Sequence, residues 1–125
     1  ELETLMNAPS MFKAAQRVGK AVRSVRDMES EALQADQVSY EVSFLFGGQV
    51  KGGRLRLFMI YSAGNFIECT IDTPYLQIGE HKYGKPVLDR AIGFDTDLYD
   101  AWSSALREAH IAIPRPPYGQ QQKKP

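Results

Sequence analysis

Three side chains in this 125-residue chain pair reactive chemistry with scarcity: Cys69, His81 and His110. A thiol–imidazole couple would need the thiol exposed in an electropositive setting beside the ring. Cys69 instead alternates with Ile67 and Ile71, which predicts a buried, inert thiol on the apolar face of a strand. No two of the three have ligand spacing and the acids are spread singly, so neither a metal nor a cofactor is implied. The glycine-rich run at residues 47–53 (GGQVKGG) invites comparison with a phosphate cradle. Such a cradle needs a strand running into a helix N-terminus. Here the glycines separate two strands, and a hairpin is expected.

Charge offers two further candidates. Lys13, Arg17, Lys20, Arg23 and Arg26 line one helical surface, with no acid between Glu3 and Asp27, before the sign reverses at Asp27, Glu29 and Glu31. That is a solvated face or a subunit interface; without interleaved aromatics it does not read as a nucleic-acid surface. Pro114-Arg115-Pro116-Pro117 has the form of a polyproline ligand, a form that a floppy tail also produces by chance. The most informative stretch is residues 78–86 (IGEHKYGKP). It gathers charged and tautomeric side chains between two glycines at a strand-to-helix junction, where sites are often built.

The elements that must position these residues follow from periodicity. Asn7 and Pro9 signal a helix start, and Met11, Ala15, Val18, Val22 and Val25 form a stripe for one buried face of a helix ending before Asp36. Residues 38–46 alternate as a strand, residues 54–61 form a second, 66–71 a third, and 75–78 a short fourth after Pro74. Gly84 and Pro86 open a helix over residues 85–92. Asp95, Thr96 and Asp97 cap another at 97–109, with Leu98, Trp102, Ala105 and Ala109 on one side. The fold class is therefore α+β, an antiparallel β-meander with flanking helices. Phe44-Leu45-Phe46 and Leu57-Phe58-Met59-Ile60 are apolar on both sides, so these strands call for cover on both faces. The helices supply one layer; the second must come from elsewhere.

Composition sets the outer bounds. Fifteen basic and fifteen acidic residues cancel, 43% of residues are apolar and 24% charged, as in an ordinary globular domain. Net charge gives no support to nucleic-acid or membrane binding. A single cysteine excludes an internal disulfide and suits a reducing cytoplasm.

At Ala8-Pro9-Ser10-Met11-Phe12-Lys13-Ala14-Ala15, Ser43-Phe44-Leu45-Phe46-Gly47-Gly48-Gln49, Gly64-Asn65-Phe66-Ile67-Glu68 and, above all, the run from Asp72 to Arg90 (DTPYLQIGEHKYGKPVLDR), the chain resembles the Anbu-type proteasome-like β subunits. The likeness covers residues 1 to about 100. It implies part of an αββα four-layer sandwich, the N-terminal-nucleophile hydrolase fold, and a threonine-type peptidase acting on peptides or unfolded proteins within a homo-oligomer. There an N-terminal threonine attacks the peptide carbonyl with its own α-amino group as base, a hydroxyl activated by an adjacent amine.

No residue here inherits that role. The chain opens at Glu1, and residues 1–6 read as the end of an earlier helix, so the nucleophile and its lysine and aspartate partners are expected upstream. The domain organisation is then residues 1–101 as a partial β-subunit domain, 102–113 as a short helix outside the family pattern, and 114–125 as a disordered Pro/Gln-rich tail. Gly79, Glu80 and His81 are candidate active-site neighbours by resemblance, placed to orient the α-amino group or a water; the plainer reading is capping of a helix beginning near Lys85. A truncated, frame-shifted or split-gene product, silent on its own, is the expectation, with its own copies or the missing half of the domain as partners. The alternative is a non-catalytic interaction module that docks on a partner subunit.

Overall fold

A computed structural model describes residues 2–79 and 81–108, the last four by backbone alone. The element order is α1 (Met11–Ala35), β1 (Ser43–Gly48), β2 (Arg56–Tyr61), β3 (Phe66–Glu68), α2 (His81–Ala91) and α3 (Leu98–Glu108). Two compact units divide the chain, the first running to Gly79 and the second from Glu80.

In the first unit, α1 begins where Ser10 leaves extended backbone and its side chain accepts from the Lys13 N–H at 3.1 Å. Ser10, not Asn7, is the cap: the Asn7 side chain accepts from Thr4 N–H at 2.9 Å and from Arg17 at 2.7 Å. The helix buries Met11, Ala14, Ala15, Gly19 and Val22. Val25, expected in the buried stripe, is instead 43% exposed.

The sheet is a meander of order β1-β2-β3, antiparallel throughout. Glycines 47 and 48 end β1 and the chain returns at Arg56, so the glycine-rich run forms the expected hairpin. Between β2 and β3 the turn at residues 62–65 closes through Tyr61 N–H to Asn65 O at 2.9 Å and Gly64 N–H to Tyr61 O at 2.8 Å. Gly64 holds φ at +81°, a conformation that L side chains rarely adopt. Alternation puts Val42, Phe46, Phe58, Ile60 and Phe66 on the face beneath α1, where Phe58 and Ile60 are fully buried beside Met11, Ala15 and Val22. The Phe66 ring stands edge-on to both Phe12 and Phe58.

The opposite face carries a row made by the register Leu45↔Met59↔Ile67. Met59 is buried, while Leu45 and Ile67 stay 47% and 43% exposed. The two-faced apolar strands are therefore present, with α1 as the helical layer on one face. The Ile67–Cys69–Ile71 side, expected to be interior, is instead the open side, and Ile71 is exposed.

Two expected strand segments lack a ladder. Residues 38–42 precede β1 because β2 stops at Tyr61, where the chain turns. Ser62 Oγ substitutes for a ladder partner there, accepting from Val42 N–H at 2.7 Å and donating to Val42 O at 3.0 Å. Beyond Glu68 one more bond is made, Cys69 N–H to Leu57 O at 2.8 Å. A turn then ties Thr70 to Thr73 by reciprocal backbone bonds at 2.9 and 3.2 Å and carries the chain away, so residues 75–78 form no strand.

In the second unit α2 and α3 pack on each other. Asp97 caps α3, accepting from Asp100 N–H at 2.9 Å. The side bearing Leu98 and Trp102 is exposed, and Ser103 and Ser104 are buried instead, the reverse of the expected apolar face. The helix crosses residue 101 without a break, and residues 109–125, which include His110 and the tail, lie outside the described residues.

Candidate functional site

The strand-to-helix junction singled out by its charged and tautomeric residues has a definite local geometry on each side. Gly79 closes the first unit at φ +111°, with open space where a Cβ would stand. Glycine is required there by backbone conformation, not by crowding. His81 is exposed and is the first residue of α2, which begins four residues earlier than Lys85 and takes Pro86 into its interior. His81 therefore sits in a helix's first turn. Lys85 is instead an interior residue, joined to Asp89 one turn on at 2.9 Å. Glu80 lies outside the described residues.

Cys69 is half-buried, and burial first, then the neighbouring Glu68 charge, pushes its thiol above the ordinary range. Both effects oppose the thiolate, so Cys69 has the opposite of a nucleophile's setting. Among the described residues no three of His, Cys, Asp and Glu gather as a metal site. No helix among them is long and apolar enough to cross a membrane.

The charged pair joining β2 and β3 is structural. Arg56 Nε and NH2 meet the two carboxylate oxygens of Glu68 at 2.6 and 2.7 Å across β2 and β3. These hydrogen bonds hold the Glu68 carboxyl below its usual range and raise the Arg56 guanidinium, which also lies 5.1 Å from the Phe58 ring centre. The basic face of α1 is likewise partly engaged inside the chain. Arg17 donates to Thr4 O and to Asn7 Oδ1, and Arg23 Nε donates to Ala63 O at 3.0 Å.

Among the described residues of the first unit, two concavities stand out. One, of about 390 Å³, runs from Ser10 and Met11 to Lys51, Arg54 and Arg56. The other, of about 560 Å³, is apolar and lies between α1 (Val18, Ala21, Val25) and Leu5, Tyr40 and Phe44. Sequence reasoning missed this groove. Two of its wall residues, Val18 and Val25, stand in the expected stripe of α1, but the apolar spacing alone does not tell a groove wall from the core.

No protein-family profile matches the chain, and no curated protein sequence matches it significantly. Solved structures do. Anbu from Hyphomicrobium sp. strain MC1 is 49% identical over 86% of this chain, with a TM-score of 0.73. Anbu (ancestral beta-subunit) from Yersinia bercovieri is 48% identical over 86%, with a TM-score of 0.75. The helical assembly of the Anbu complex from Pseudomonas aeruginosa is 46% identical over 82%, with a TM-score of 0.74. This chain spans 42%, 43% and 42% of those three chains. Over the matched stretch, with its helix layered on an antiparallel sheet, the chain belongs to the Anbu type of proteasome-like β subunit, of the N-terminal-nucleophile hydrolase fold.

Proposed function

We propose that this chain is a helix-and-sheet portion of a threonine-type peptidase subunit that hydrolyses peptides or unfolded proteins within an assembly of its own copies, in the cytoplasm. The observation that carries the reading is near-50% identity joined to a TM-score above 0.7 over most of the chain. The Anbu complex of Pseudomonas aeruginosa forms a helical assembly, which supports self-association here. In this reading Gly79, Glu80 and His81 border the active site and orient the nucleophile's amine or a water, while no residue of this chain is itself the nucleophile.

The test has two arms. The purified chain is assayed with a fluorogenic peptide alone, then with an Anbu polypeptide that begins at the catalytic threonine and supplies the N-terminal strands. No turnover is expected in the first arm. Turnover abolished by a threonine-directed inhibitor is expected in the second. A stable mixed complex that hydrolyses nothing would refute the peptidase reading. It would favour instead a non-catalytic assembly module, for which the exposed Leu45 and Ile67 on the open sheet face speak.

A further inference from the structure

We draw no further inference here: the strongest candidate, the concavity of about 390 Å³ between the start of α1 and the basic side chains of Lys51, Arg54 and Arg56, rests on one helix N-terminus and the exposed Lys51 and Arg54, Arg56 being already paired with Glu68, and nothing in the structure shows what fills it.

Discussion

In the first unit α1 meets the β2–β3 turn backbone to backbone at Gly19 and Gly64, which makes Gly19→Ala a decisive perturbation. A Cβ on Gly19 would lie 2.2 Å from the Gly64 carbonyl oxygen and 3.1 Å from its carbonyl carbon. Gly64 cannot yield easily, because it holds φ +81° and its own Cβ position is 2.5 Å from Gly19 O. Only separation of α1 from the β2–β3 turn relieves the overlap, and that strains the Arg23 bond to Ala63 O and the packing of Val22. Alanine is the better helix former by about 1 kcal/mol. Overpacking costs roughly 1–3 kcal/mol, and a backbone obstacle belongs at the upper end. The net expectation is destabilisation by about 2 kcal/mol, or roughly 10 °C in Tm for a unit of this size. Urea denaturation followed by circular dichroism measures it, with exposed Ser24→Ala as a helix-propensity control expected to gain a few tenths of a kcal/mol. A Gly19→Ala chain as stable as the parent would refute the claim that these backbones touch.

Three further outcomes are expected. Glu68, held low by Arg56, contributes stability that is full above the unfolded carboxylate value of about 4.3 and is lost as pH falls through its lower folded value. Glu68→Gln should cost about 1 kcal/mol at pH 7 and flatten that part of the acid limb in stepped-pH urea titrations. Ser10→Ala removes the α1 cap and should cost about 1 kcal/mol by the same denaturation. Cys69 should alkylate more slowly than a free thiol at pH 7, with a rate that climbs to a midpoint above the ordinary thiol value of about 8.5; a midpoint below it would contradict the burial.

Local information carried much of this protein. Period-two alternation marked β1, β2 and β3, the glycines at 47–53 marked their hairpin, and the spacing from Met11 marked α1 to its end at Ala35. Those features depend on neighbours a few residues away, which is what a sequence displays directly. The run from Asp72 to Arg90 likewise pointed to its relatives before any fold was seen, whereas the site it suggested stays a proposal at Gly79, Glu80 and His81.

Contacts between segments decided the rest. A strand needs a backbone opposite it, so residues 38–42 and 75–78, apolar and alternating as they are, remain outside the sheet when β2 ends at Tyr61 and the Thr70–Thr73 turn leads the chain away. Which apolar positions of α1 are covered depends in the same way on what the fold brings against each. Val22 shares the core with Phe58 and Ile60, while Val25 is exposed and walls the apolar groove with Val18 and Ala21.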